Sequence, residues 1–227
     1  SMIPLRSYWA DDLDRDHRTE IVTIAMNSGR AQIGNFVRTP AERLTGDFHR
    51  GQFQILPLNK TSKSRRGMAW ADVNGDQLSD VVVSEPDSGQ LTVYLQQTNG
   101  AISDARTFPS LTGISQIAVD AGEPGASAQI YVLSPDERQV AVTRFDPQGR
   151  LPFPAAIPLE GKPLAIAVGA GQARATASLA VLLDRDGDRH LFLRDAQGKT
   201  RTQKLSAAFK SNPSQMVWHD VNQDGLA

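Results

Sequence analysis

The feature that most constrains the fold of this chain is an internal repeat. Its two clearest copies, MAWADVNGDQLSDVVV and MVWHDVNQDGLA, align so that Asp72 matches Asp220. The segments that share this frame are 7–24, 68–83, 117–133, 166–183 and 216–227. Their aligned anchor residues are Asp12, Asp72, Asp120, Gly169 and Asp220, separated by 60, 48, 49 and 51 residues. Such a period indicates a repeat architecture, in which each copy forms one supersecondary unit.

Each unit has the pattern of four short strands. A polar turn such as PDSG (86–89) follows the anchor by about sixteen residues, and a second turn such as PQG (147–149) follows later. The turns separate aliphatic and β-branched runs, among them VVVSE, LTVYLQ and QIYVL, which are typical of strands joined by hairpins. Four antiparallel strands in a repeat of about 40–50 residues are typical of propeller blades. We therefore predict an all-β fold, a β-propeller built of four-stranded antiparallel blades.

The predicted propeller forms a single domain over 1–227 and is incomplete. Its repeats lie near 6–66, 67–113, 114–162, 163–213 and, truncated, 214–227. Ile3-Pro4-Leu5 resembles the closing stretch of a unit, so the chain is expected to enter at the outer strand of a preceding blade. We expect four sheets in an arc with an open edge at each end, and self-association through those edges, because exposed edges invite pairing.

The loop after the anchor of the second unit carries the chemistry. Asp72, Asn74, Asp76 and Asp80 present oxygen atoms at positions 1, 3, 5 and 9, and the backbone carbonyl of Leu78 is added at position 7. Crowded carboxylates repel one another unless a cation lies between them, and an oxygen-only set suits Ca²⁺. The same pattern recurs at Asp12, Asp14, Asp16, Arg18 (as a carbonyl) and Glu20, and in part at Asp220, Asn222 and Asp224. An EF-hand loop has a bidentate Glu at position 12 and a helix on each side. Here position 12 is Val83 or Thr23 and both flanks have the pattern of strands, so an EF-hand is excluded.

This loop, set between the first two strands of a repeated blade, resembles that of the FG-GAP / VCBS repeat family, which includes the propellers of integrin α-subunits. The resemblance implies calcium sites in the first, second and fifth units. One departure lies at position 6, where the family has Gly and this chain has His17 and Gln77, with only Gly225 conforming. The corresponding loops of the third and fourth units lack carboxylates and are expected to hold no ion.

Other polar or aromatic clusters have simpler interpretations. The acidic run DRDGD (184–188) falls at a hairpin position, which indicates a type I′ turn rather than a metal site. The basic residues Lys60, Lys63, Arg65 and Arg66 indicate a solvated loop, with a partner-binding patch as the alternative. Three tryptophans precede anchors by two or three residues and are interpreted as packing residues: Trp9, Trp70 and Trp218.

Composition and motifs narrow the function. The formal net charge is -1, so no global field recruits nucleic acid, and no apolar run is long enough to insert in a membrane. The chain has no cysteine and no recognisable catalytic motif. We therefore expect a non-enzymatic, Ca²⁺-binding interaction or adhesion module for a protein or carbohydrate ligand on a propeller rim. The resemblance implies an extracellular, periplasmic or cell-surface location. The alternative is the propeller part of a secreted polysaccharide-degrading enzyme such as a lyase.

Overall fold

A computed structural model describes residues 5–11, 19–25, 30–35, 53–62, 65–98, 102–120, 125, 127–169, 177–210, 212–213 and 215–218. These residues form sixteen strands in four sheets and contain no helix, so none of them lies in a helix that could span a bilayer. Each sheet is a meander of four consecutive antiparallel strands. The prediction of an all-β chain with four-stranded antiparallel units is therefore confirmed.

The strands of the first two sheets are β1 Leu5–Asp11, β2 Glu20–Ala25, β3 Arg30–Asn35, β4 Phe53–Pro57, β5 Met68–Ala71, β6 Asp80–Glu85, β7 Gln90–Tyr94 and β8 Arg106–Pro109. Those of the last two are β9 Gln116–Asp120, β10 Gln129–Ser134, β11 Gln139–Thr143, β12 Ala155–Ala156, β13 Lys162–Val168, β14 Ala177–Arg185, β15 Asp188–Asp195 and β16 Thr200–Lys204.

The sheets pack face to face in chain order. In β6 every residue is buried: Val81 and Val83 join a core cluster with Val22 and Leu56 of the first sheet, whereas Val82 joins one with Ile130 of the third. Successive side chains of a strand point to opposite faces, so a sheet covered on both sides needs apolar residues at both parities. This explains the unbroken run VVV. A third cluster joins the third and fourth sheets in the same way.

The segments between sheets are attached to the next hairpin by polar contacts. The Oγ of Ser62 donates to Asp87 Oδ1 at 3.0 Å, and the Oγ1 of Thr112 donates to Glu137 Oε1 at 2.9 Å. At the fourth sheet the polarity is reversed, and Arg185 Nη2 donates to the carboxylate of Glu160 at 2.6 Å. Each pair is separated by 25 residues, so these contacts form a second, polar repeat that the sequence analysis missed.

The predicted basic cluster is divided between surface and interior. Arg66 forms an ion pair with Glu85 at 3.2 Å, with 7% and 3% of the two side chains exposed. Lys60 and Arg65 are exposed, and Lys63 lies outside the described residues. Because the charge of Arg66 is neutralised inside the fold, it does not contribute to a partner-binding patch.

Strand pairing corrects the sequence alignment by one residue in two units. In the second sheet Ala71 pairs with Asp80, and in the third sheet Asp120 pairs with Gln129, so Asp120 corresponds to Ala71 rather than to the anchor Asp72. In the fourth sheet Val168 pairs with Leu179 as Trp70 pairs with Val81, which makes Gly169 another counterpart of Ala71. The sequence alignment of these two weaker copies rests on residue type alone, whereas side-chain parity decides the register.

The expectation for the start of the chain is wrong at Leu5. Leu5 belongs to β1 and pairs with Ala25, so it is part of the first strand of the first sheet and not of a preceding outer strand. Ile3 and Pro4 lie outside the described residues. The closing stretches of the later units do lie in outer strands, as in β4 (Phe53–Pro57) and β8 (Arg106–Pro109).

Candidate metal site

The loop between β5 and β6 is organised around the carboxylate of Asp72. Asp72 Oδ1 accepts hydrogen bonds from the backbone N–H groups of Gly75 and Asp76, at 2.7 and 3.1 Å. Asp72 Oδ2 accepts one from the N–H of Gln77 at 2.7 Å. Gly75 has φ 89°, a left-handed conformation that favours glycine and lets the chain turn back over the carboxylate. Asp72, the first predicted ligand, thus stabilises the turn in which the next predicted ligands lie.

The middle of the loop is fixed by Asn74 and Asp76. The N–H of Asp76 donates to Asn74 Oδ1 at 2.9 Å, and Asn74 Nδ2 donates to Asp76 Oδ2 at 2.9 Å. The N–H of Leu78 donates to Asp76 Oδ1 at 2.9 Å. The side-chain oxygens of Asn74 and Asp76 thus each accept from the backbone two residues further on, which explains why oxygen-bearing residues alternate in this part of the loop.

The last predicted ligand, Asp80, opens β6 and is completely buried. Its Oδ2 accepts from the N–H of Val73 at 3.0 Å and its Oδ1 from the N–H of Gln96 at 2.9 Å. Burial raises the pKa of the Asp80 carboxyl to about 6; the two backbone hydrogen bonds lower it, and the negative charges of Asp76 and Asp72 raise it further. The protein therefore holds a carboxylate where its negative charge is unfavourable unless a cation compensates it.

The three carboxylates converge. Asp72, Asp76 and Asp80 each offer an oxygen atom, and these three atoms lie within 4.8 Å of one another. Ca²⁺ binds oxygen ligands at about 2.3–2.6 Å, so atoms this close can all contact one ion. Asn74 and Leu78, the other predicted ligands, lie in the same loop. The three converging carboxylates thus fit a calcium ion in charge and donor type.

Gln77, at position 6 of the loop, has φ 68°. The left-handed region costs a residue with a Cβ about 1–2 kcal/mol relative to its preferred conformations. The departure from Gly noted in the sequence therefore falls on a residue whose backbone conformation favours Gly.

The other predicted sites are only partly described. Glu20 opens β2 and pairs with Asp11, as Asp80 opens β6 and pairs with Ala71, so the two connections have equal length. The predicted ligands Asp12, Asp14, Asp16, Arg18, Asp220, Asn222 and Asp224 lie outside the described residues. In the third sheet the counterpart of Asp80 is Gln129, whose Oε1 accepts a hydrogen bond from the Tyr131 hydroxyl at 2.9 Å.

Gln96 is a residue of the site that the sequence analysis missed. It is 6% exposed, and its Oε1 accepts a hydrogen bond from the N–H of Ser79 at 3.1 Å. The available signal was a buried amide at the end of the otherwise apolar run LTVYLQ, since a buried polar side chain requires a partner.

The acidic run 184–188 forms the predicted hairpin. Arg185 pairs with Asp188, and the two residues between them, Asp186 and Gly187, have φ 51° and 87°, as a type I′ turn requires. Asp184 forms an ion pair with Arg189 at 2.7 Å, and Asp188 pairs with Lys204. The hairpin interpretation is confirmed, and two of the carboxylates already have cationic partners.

Comparisons with known proteins address the fold alone. No protein-family model and no curated protein matches the chain. A protein from Lactobacillus plantarum is similar in structure over 86% of this chain, with TM-score 0.53 and 17% identity. A functionally unknown protein from Desulfotomaculum acetoxidans DSM 771 is similar over 90%, with TM-score 0.53 and 14% identity. The matches cover 54% and 55% of those two chains, so this chain spans about half their length.

Proposed function

We propose that the chain is a calcium-stabilised segment of a β-propeller of the FG-GAP / VCBS kind, and that it serves as a non-enzymatic interaction module. The observation that carries the proposal is the convergence of Asp72, Asp76 and Asp80 in the connection between the first two strands of a sheet. Calcium would be held by these carboxylates, with the Asn74 oxygen and the Leu78 carbonyl completing the set.

The arrangement of the sheets supports a propeller. The first strand of the third sheet, β9, contacts both β5 and β13, the first strands of its two neighbours. In a propeller the first strands of successive blades lie side by side around a common axis and the last strands lie outside. The clusters between sheets have the apolar character that this stacking requires. The loops at the two rims of such a disc are then available for a partner.

The functional part of the proposal is an extracellular, periplasmic or cell-surface module that binds a protein or carbohydrate. Extracellular modules can use weak calcium sites, with Kd of about 10⁻⁴–10⁻³ M, because calcium there is abundant. The loop at 72–80 suits such a role, since an ion bound there would stabilise the folded form by mass action. A glycan array probed in calcium and in EDTA would identify a carbohydrate ligand. Calcium-independent glycan binding would show that the ion does not shape the ligand site.

Thermal melting tests the calcium proposal. Protein stripped with EDTA and then given Ca²⁺ at about 100 times its Kd should gain about 2.7 kcal/mol, a shift of roughly 5–10 °C in Tm for a chain of this size. Mg²⁺ should give little, because it demands near-ideal octahedral geometry and dehydrates reluctantly. An unchanged Tm after calcium addition to verified metal-free protein would contradict the proposal.

Self-association is part of the same proposal. Phe209 and Val217, beyond the last strand of the fourth sheet, are 41% and 73% exposed. The Trp218 ring lies against Gly169, where a Cβ would approach it to 2.3 Å, so this segment packs on the fourth sheet. A second copy covering these side chains would bury them. Analytical ultracentrifugation should therefore show concentration-dependent dimers that Val217→Asp weakens, and a monomer at every concentration would contradict the expectation.

A further inference from the structure

Gln96 holds the end of the calcium loop from outside it. It lies two residues after the end of β7, and its backbone N–H donates to Asp80 Oδ1 at 2.9 Å. Its side-chain Oε1 accepts from the N–H of Ser79 at 3.1 Å. One buried residue just beyond the end of β7 therefore contacts both of the last two positions of the loop.

These contacts determine how the Asp80 carboxylate is oriented. The N–H of Val73 binds one oxygen and the N–H of Gln96 binds the other, so the carboxylate plane is fixed between the start of the loop and the end of β7. Each carboxylate oxygen has a second lone pair, which remains available to a cation near Asp72 and Asp76. If Ser79 and Gln96 moved apart, Asp80 would lose this orientation.

The first and third units lack this residue at the equivalent position. In the third sheet Ile130 pairs with Thr143 as Val81 pairs with Tyr94, so the counterpart of Gln96 is Phe145, which is 5% exposed in an apolar cluster. In the first sheet Val22 pairs with Ile33 as Val82 pairs with Val93, which makes residue 36, a phenylalanine in the sequence, the counterpart. Among these three units the amide occurs only beside the loop 72–80.

We infer that Gln96 is a positioning residue for the cation site and makes the loop 72–80 the tighter of the two calcium loops at 12–20 and 72–80. The inference rests on the proposed calcium function. Groups that orient metal ligands typically contribute 10–100-fold to metal affinity, although they do not touch the ion. The side-chain oxygen of Gln96 has this relation to the Leu78 carbonyl, because the Ser79 N–H from which it accepts a hydrogen bond belongs to the same peptide group.

The contact also links the ion to the connection between β7 and β8. Gln96 forms a bridge with Ile102, and the flanking residues Leu95 and Ser103 are joined by two hydrogen bonds, of 2.7 Å from the N–H of Ser103 and 2.9 Å to its hydroxyl. Calcium binding that tightens Ser79 and Asp80 should therefore also protect the backbone amides of this connection.

Calorimetric titration of the full chain with Ca²⁺ tests the inference. Gln96→Met keeps the length of the side chain and removes the acceptor, so the Kd of the tighter site should rise about tenfold. Gln96→Glu keeps the acceptor and adds a negative charge near Asp80 that attracts the cation, so its Kd should not rise above that of the wild type. Gln90→Met is the matched control: Gln90 lies at the opposite end of β7, and its Oε1 accepts a local hydrogen bond from Ser88 at 3.2 Å.

Hydrogen exchange supplies a second readout. Calcium should slow exchange across 95–103 in the wild type and in Gln96→Glu, and should do so much less in Gln96→Met. A role of Gln96 confined to general stability would instead lower the Tm of Gln96→Met equally with and without calcium and leave its Kd unchanged, which would overturn the inference. If the wild-type chain binds no calcium at all, no variant shows binding heat, and both the inference and the proposed function are overturned. If the wild type binds calcium but Gln96→Met binds it equally well, only the inference is overturned.

Discussion

Two acidic turns of this protein each carry three aspartates but arrange them in opposite ways. The loop 72–80 brings three carboxylate oxygens within 4.8 Å of one another, and it buries one of the three side chains, Asp80. The hairpin 184–188 also carries three aspartates, but Asp184 and Asp188 are paired with Arg189 and Lys204. The difference comes from the backbone: an eight-residue connection turns its carboxylates towards a shared centre, whereas a two-residue turn lets them diverge to cationic neighbours.

The largest expected difference between the two turns is their response to calcium. Asp76→Ala removes a central ligand of the loop and should abolish most of the calcium-induced rise in Tm, which is about 5–10 °C for the wild type. Asp186→Ala should leave that rise intact. Alanine at 186 will itself lower Tm, because the residue has φ 51°, but it should do so equally with and without calcium. Equal loss of the calcium response in both variants would show that the hairpin also binds the ion.

The two turns should also respond to pH with opposite signs. The pKa of Asp80 is raised to about 6, chiefly by burial, so folding of the metal-free protein takes up a proton there. The contribution of Asp80 to the free energy of unfolding then falls as pH rises from about 4 to about 6, by up to about 1.4 kcal/mol per pH unit. The hydrogen bond and charge of Lys204 lower the pKa of Asp188, so its stabilising contribution is present at neutral pH and lost in acid.

Melting curves of metal-free protein between about pH 2 and about pH 7 would separate these contributions. Asp80→Asn should remove the loss of stability between pH 4 and 6, and saturating calcium should remove it in the wild type, because a bound cation keeps the carboxylate ionised. Lys204→Met should change the free energy of unfolding only through the stabilising contribution of Asp188, so its effect should disappear in acid, below about pH 4. A slope between pH 4 and 6 that persists in Asp80→Asn would assign it to another group.

Features that depend on residues close in sequence were predicted correctly, and features that depend on residues far apart in sequence were not. The strands and the loop 72–80 depend on residues close in sequence, namely alternating apolar residues, turn residues and oxygen-bearing side chains at i and i+2, and these were recognised. Gln96, which contacts Asp80 across 16 residues, and the pair Ser62–Asp87, separated by 25, were missed because no local pattern marks them. The one-residue error at Asp120 arose because the third unit has no aspartate at the true anchor position. There only the alternation of apolar residues along the strand fixes the register.

The smallest expected effect concerns the two left-handed residues of these turns. Gln77 and Asp186 have φ 68° and 51°, and neither is glycine. Gln77→Gly should relieve about 1–2 kcal/mol of backbone strain. Glycine also raises the entropy of the unfolded chain, which lowers the free energy of unfolding by about 0.5–1 kcal/mol. The net increase in the free energy of unfolding should therefore be roughly 0.5 kcal/mol. Asp186→Gly should gain less, because aspartate tolerates this region better than glutamine does.

Ser79→Gly is the matched control for this effect, because it introduces the same residue into the same loop where φ is not positive. It should destabilise by about 0.5–1 kcal/mol, since only the entropic cost remains. Urea unfolding of the three glycine variants in EDTA would resolve the order, with Gln77→Gly the most stable and Ser79→Gly the least. If Gln77→Gly is as destabilised as Ser79→Gly, the left-handed residue of the calcium loop carries no strain, and the departure from glycine at position 6 costs the site nothing.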